Sequence, residues 1–111
     1  DTYPVSGTTT TLDSLAMGIP VLSCPNHLYA GAISAAILEQ AGLDFMICDD
    51  PAELPHKAKE LAIRYRSANA RRELAQYIRN SAICDINHTP KKFANQLLKM
   101  LKHKSTSNQI F

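Results

Sequence analysis

No stretch of the chain stays apolar for the roughly 18 residues that a membrane helix needs, because proline or polar side chains interrupt each hydrophobic segment. A spanning segment is excluded, and no membrane partner is expected. The N-terminus reads Asp1-Thr2-Tyr3, without the basic-then-apolar order of a secretory leader. The three cysteines, Cys24, Cys48 and Cys84, form no C-x-x-C pair and have no histidine at ligand spacing. They therefore offer neither a disulfide framework nor a zinc site. An odd, scattered set reads as reduced thiols in a cytoplasmic protein. Cys24 and Cys48 each close a short apolar run and read as small hydrophobes at strand ends. There is no surplus of one charge: 12 Lys and Arg stand against 10 Asp and Glu, a net +2. That balance argues against a nucleic-acid partner. Gly-x-Gly-x-x-Gly and the Walker lysine are both missing, which removes two common phosphate motifs.

What remains is a chain of 111 residues and 45% hydrophobic content, enough to bury a core without a metal or disulfide staple. Because it starts with Asp and enters motif-like sequence at once, it is expected to be a piece of a longer protein.

Hydroxyl residues precede Leu12, Leu15 and Ala16 at helical spacing, and Gly18 follows as a stop, so a short helix with a threonine-rich mouth is expected. Ile19-Pro20-Val21-Leu22 reads as a buried strand. Residues 29 to 41 form an Ala-rich helix pattern with Ile33, Ala36, Ile37 and Gln40 on one side, stopped by Gly42. Asp44 to Cys48 reads as a second strand. From Pro51 the pattern is helical only: Leu54, Ala58, Leu61, Ala62 and Tyr65 share one face, with Asp50 as cap. A helix at about Asn69 to Ser81 has Leu74, Tyr77 and Ile78 inward and its arginines outward. A last helix carries Phe93, Leu97, Leu98 and Leu101. This order predicts an α/β chain of about two parallel strands followed by helices, with residues 1–104 folded and 105–111 a disordered tail.

The segment that carries chemistry is Ser6-Gly7-Thr8-Thr9-Thr10-Thr11-Leu12-Asp13. A helix start presents unpaired amides and partial positive charge, and small hydroxyls add donors without blocking approach, so a diphosphate fits there. Gly7 lets the backbone come close. Asp13, further along the helix, could accept hydrogen bonds from ribose hydroxyls. The same residues also read as an ordinary helix cap. His27 lies after the first predicted strand, and His56, His88 and His103 lie on helical segments without a paired carboxylate. Asp49-Asp50 before Pro51 reads as a helix start.

The run from Asp1 to Val21, with Gly7, Thr9-Thr10, Asp13, Leu15, Gly18 and Pro20 in order, resembles the C-terminal end of the protein O-GlcNAc transferase family, especially its bacterial tetratricopeptide-linked relatives. The likeness continues through Pro25, Ala30 to Leu38 and Gly42-Leu43. It implies the C-terminal, Rossmann-like donor-binding domain of a GT-B glycosyltransferase. Gly7, Thr8, Thr9 and Thr10 would then hold the donor diphosphate and Asp13 the uridine ribose. Thr8 stands where many relatives have His, and Gly31-Ala32 where many have Ser-Arg. The reaction implied is transfer of N-acetylglucosamine from a UDP-sugar to protein Ser or Thr, without a metal or other cofactor. Catalytic residues, and tetratricopeptide repeats, would belong to sequence upstream, leaving this piece inactive alone. Two other readings stay open: the same fold using UDP-glucose or GDP-fucose, and a helical interaction module whose Arg64-to-Arg79 face binds an acidic partner.

Overall fold

A computed structural model describes residues 1–107, apart from the side chains of His88 and residues 103–107. Five α-helices follow one another: α1 (Thr9–Ala16), α2 (Ile33–Gln40), α3 (Leu54–Arg64), α4 (Ala68–Arg79) and α5 (His88–Ser107). Four 3-10 turns, at Tyr29–Gly31, Asp44–Met46, Pro51–Glu53 and Ala82–Cys84, connect them.

The expected α/β architecture is overturned. Among the described residues there is no strand, only an isolated parallel bridge between Ser23 and Ile47. Ser23 N donates to Met46 O (3.0 Å) and Cys48 N to Ser23 O (2.8 Å), and the ladder goes no further. The β-branched run at 19–22 meets no second neighbour, and Pro20 has no amide to donate. The 44–48 run instead winds into the Asp44–Met46 turn, with Met46 N on Leu43 O and Ile47 N on Asp44 O. A Rossmann-like or GT-B fragment is therefore not what this chain shows.

The helices form where their start and stop residues lie. Gly18 and Gly42 take φ +76° and +70°, the left-handed turn that ends α1 and α2. Asp50 accepts from Ala52 N (2.9 Å) ahead of Pro51, so the Asp49-Asp50 pair is a helix start. Ser67 caps α4 through Ala70 N (3.1 Å). The core gathers Leu15 of α1, Leu38 of α2, Leu43, Met46, Leu61 of α3, and Leu74 and Ile78 of α4.

Three inward faces differ from their patterns; on α4, Leu74 and Ile78 are buried as expected, but Tyr77 is half exposed and Ala75 is buried in its place. On α2 the buried residues are Ser34, Ala35 and Leu38, while Ala36 and Gln40 are exposed. A helix of Ala and Ile on every side specifies its face weakly, and the hydrogen bonds of Ser34 described below select the turn of the helix. On α3 only Leu61 is buried, with Ala58 and Ala62 exposed. Helix α5 continues to Ser107, into the stretch expected as a tail, and 108–111 lie outside the described residues. No helix among the described residues is long and apolar enough to cross a membrane.

Candidate functional site

The Thr-rich loop is held from behind by a layer of small polar side chains. Asp1 Oδ1 accepts from Thr2 N (2.9 Å) and Gly7 N (2.8 Å), and its Oδ2 from Ser23 Oγ (2.8 Å). Buried Ser6 bonds Ala30 O through both its amide (2.9 Å) and its hydroxyl (3.0 Å), and accepts from Ser34 N (3.2 Å). Ser34 Oγ donates to Gly7 O (2.8 Å) and lies 2.8 Å from Thr11 Oγ1. Since Ser34 has one hydroxyl proton and a carbonyl can only accept, Thr11 must be the donor of the second bond. No buried side-chain polar atom among the described residues is left unpaired.

This layer sorts the four threonines. Thr11 is buried against Ser34, whereas Thr8, Thr9 and Thr10 are exposed. Thr8 occupies the N-cap position, yet no side chain caps the helix, and no acid lies in its first turn. Leu12 N is the first amide to find a carbonyl, that of Thr8 (3.1 Å). The amides of Thr9, Thr10 and Thr11 therefore have no hydrogen-bond acceptor among the described residues, the condition under which a helix start attracts an anion.

Gly7 is required here for space. A Cβ on it would stand 2.6 Å from Thr10 Oγ1 and 2.7 Å from Thr11 Oγ1, too close for either hydroxyl to stay in place. Asp13 is exposed, one turn after Thr9 on the same side of α1. Gly7, Thr8, Thr9, Thr10 and Asp13 thus share one end of one helix, on an open rim. A cavity of about 260 Å³ opens beside it, lined by Asp1, Thr10, Thr11, Ser14 and Leu22 among others, but not by Gly7, Thr8, Thr9 or Asp13. Larger cavities include two of about 490 Å³, one by Phe45, Arg64 and Tyr77 and one by Cys24, Pro25 and Leu54 that also reaches Asp1 and Thr2.

The remaining candidates separate from this rim. His27 and His56 are exposed, and the side chains of His88 and His103 lie outside the described residues. Cys48 is fully buried, and burial pushes its thiol above the ordinary value, with the Lys57 ammonium acting the other way. It is a packed thiol and not a ready nucleophile. Among the described residues no cluster of His, Cys, Asp and Glu could hold a metal ion. The arginines at 64, 66, 71, 72 and 79 are exposed, and Arg64 stacks on Phe45 at 4.4 Å. The residues missed in the sequence are Asp1, Ser23 and Ser34, which hold the loop from behind, Asp1 from an exposed position and the two serines from buried ones. Asp1 had a signal, its place six residues before Gly7 in the motif, whereas Ser23 and Ser34 had none.

No protein-family model matches the chain. Over 86 residues, 77% of this chain, it is 33% identical to a tomato (Solanum lycopersicum) protein named probable UDP-N-acetylglucosamine–peptide N-acetylglucosaminyltransferase SPINDLY. The proteins of the same name from Petunia hybrida and Arabidopsis thaliana are 33% and 28% identical over the same length. Nothing in these relatives supports the bacterial placement expected from the motif. The chain spans 9% of the length of these relatives. Its relatives are plant proteins of the SPINDLY type, transferases by name and similar to O-GlcNAc transferases.

Proposed function

We propose that this chain is the donor-binding portion of a glycosyltransferase that passes N-acetylglucosamine from a UDP-linked donor to Ser or Thr of an acceptor protein. The observation that carries the reading is the open start of α1, with its three unpaired amides and no acid in the first turn, in a chain similar to proteins named for that transfer. The diphosphate sits on the amides of Thr9 and Thr10, with Gly7 and Thr8 at its edge. Helix-terminal charge stands in for a bound cation, so no metal is needed. Asp13, one turn on, accepts from the ribose hydroxyls. Residues 7–13 include no histidine, glutamate or lysine to act as acid or base. The chemistry at the anomeric carbon is therefore assigned to the rest of a longer protein, and this chain alone is expected to be silent.

Asp13→Asn tests the ribose contact. Because it replaces a charged acceptor by a neutral one, UDP binding should weaken by about 1 kcal/mol, roughly fivefold to tenfold. Binding of 2′,3′-dideoxy-UDP, which lacks those hydroxyls, should stay within twofold. Calorimetric titration reads both, and an unchanged preference for UDP over its dideoxy form would remove Asp13 from the site. A GDP titration in parallel decides the base, since binding tighter than that of UDP would move the reading to a GDP-fucose user.

A further inference from the structure

Cys24 and Cys48 show no pairing pattern in the sequence, but the parallel bridge between Ser23 and Ile47 makes them neighbours. Ser23 N donates to Met46 O and Cys48 N to Ser23 O, which fixes the register on both sides of Ile47. The next residues in line are Cys24 and Cys48. Side chains alternate along extended backbone, so both thiols leave on the face opposite to Ser23 and Ile47. The following bond of this register would run from residue 25 to Cys48 O, and Pro25 has no amide to give. The ladder thus ends directly after it has set the two cysteines side by side. Paired strands run about 4.8 Å apart, within the roughly 4.4–6.8 Å between Cα atoms that a disulfide spans. Burial raises the Cys48 thiol most, the Lys57 ammonium opposes it, and negative charge on Cys24 raises it further, so the two sulfurs lie within electrostatic reach of each other.

Their exposure differs in a way that orders the chemistry. Cys24 is half-buried and lines the cavity by Pro25 and Leu54, whereas Cys48 is fully buried. An oxidant entering from water therefore meets Cys24 first. We propose that Cys24 and Cys48 form a redox pair that hydrogen peroxide closes into a reversible disulfide. Peroxide oxidises the Cys24 thiol to a sulfenic acid and leaves one water. The Cys48 sulfur then attacks the Cys24 sulfur, the S–O bond breaks, and the departing hydroxide takes the Cys48 proton as a second water. Two thiols lose two hydrogens and two electrons, and one peroxide accepts them. The bond closes a ring of roughly 25 residues that contains α2 and otherwise rests on an isolated bridge. Sequence added by a longer protein would slow the first step where it covers the cavity, but the register that joins the two cysteines is internal to this chain.

Peroxide treatment of the Cys84→Ser chain, which removes the exposed third thiol, tests the proposal by mass spectrometry. The intact protein should lose two hydrogens, and proteolysis should yield one linked pair of peptides carrying Cys24 and Cys48. Dithiothreitol should restore the original mass. The oxidised chain should unfold at a midpoint roughly 10 °C above the reduced one, since the ring restricts the unfolded chain. With Cys24→Ser added, the same peroxide should leave Cys48 unmodified, because the buried thiol then has no oxidised neighbour to attack. An unchanged mass, oxygen retained on Cys24 while Cys48 stays free, or a link between two chains overturns the proposal. So does oxidation of Cys48 at an equal rate in the Cys24→Ser variant. None of these readouts depends on a nucleotide, so UDP binding stands or falls separately.

Discussion

Gly18→Ala should lower the thermal unfolding midpoint by well over 10 °C. The left-handed backbone at φ +76° already costs an alanine about 1 kcal/mol or more. The larger part comes from the position of α4, because a Cβ on Gly18 would lie 1.9 Å from the carbonyl oxygen of Arg71. Backbone cannot swing aside as a side chain can, so α1 and α4 must separate where Leu15 and Leu74 meet in the core. A combined loss of about 3 kcal/mol or more, at roughly 4–8 °C per kcal/mol for a chain of this size, gives the expected shift. Gly42 supplies the contrast. It shares the positive φ, but its added Cβ would meet only the hydroxyl of Tyr77 at 2.8 Å, and Tyr77 is half exposed and can turn away. Gly42→Ala should cost about 1–2 kcal/mol, the conformational term with little else. Equal midpoints for the two variants would mean that α1 and α4 are not packed as described.

Asp1→Ala should weaken UDP binding at least tenfold, although Asp1 is not proposed to touch the nucleotide. Its carboxylate holds Gly7 N from one oxygen and the fully buried Ser23 hydroxyl from the other. Removing it frees the loop ahead of Thr8 and leaves the Ser23 hydroxyl without its acceptor, at about 1–3 kcal/mol for that group alone. Asp1→Asn keeps one carbonyl acceptor and should fall between Ala and the parent. A loosened loop must be re-ordered on binding, so the loss should be larger for UDP, which engages the loop amides, than for uridine. Equal losses for the two ligands would show that Asp1 stabilises the fold as a whole and does not shape the site.

What could be read from the sequence was punctuation. The glycines at 18 and 42 and Asp50 ahead of Pro51 act through their own backbone or their immediate neighbours, and helices end or begin there; the hydroxyl run before Leu12 marks the start of α1, although none of its side chains caps it. What could not be read depended on neighbours distant in the chain. Ile19 to Leu22 and Asp44 to Cys48 have strand-like composition, yet a strand exists only through its ladder, and here the pairing stops at Ser23 and Ile47. The inward face of α2 was hidden for a related reason. Ser34 is buried because its hydroxyl donates to Gly7 O and accepts from Thr11 Oγ1, both more than twenty residues away. In the candidate site the position of the threonines was legible, but their division was not: Thr11 turns inward while Thr8, Thr9 and Thr10 face water.

The central claim is that the open start of α1 binds a nucleoside diphosphate, and the most direct measurement is a titration of UDP into isotopically labelled protein followed by amide resonances. Amide shifts should concentrate at Gly7 to Asp13, with the largest at Thr9 and Thr10, whose N–H groups have no acceptor in the free chain. Uridine should move Asp13 and its neighbours while leaving Thr9 and Thr10 nearly unchanged, because it lacks the diphosphate. Shifts that avoid this segment, or that appear only along Arg64 to Arg79, would contradict the account and leave the threonine loop as a helix start and nothing more.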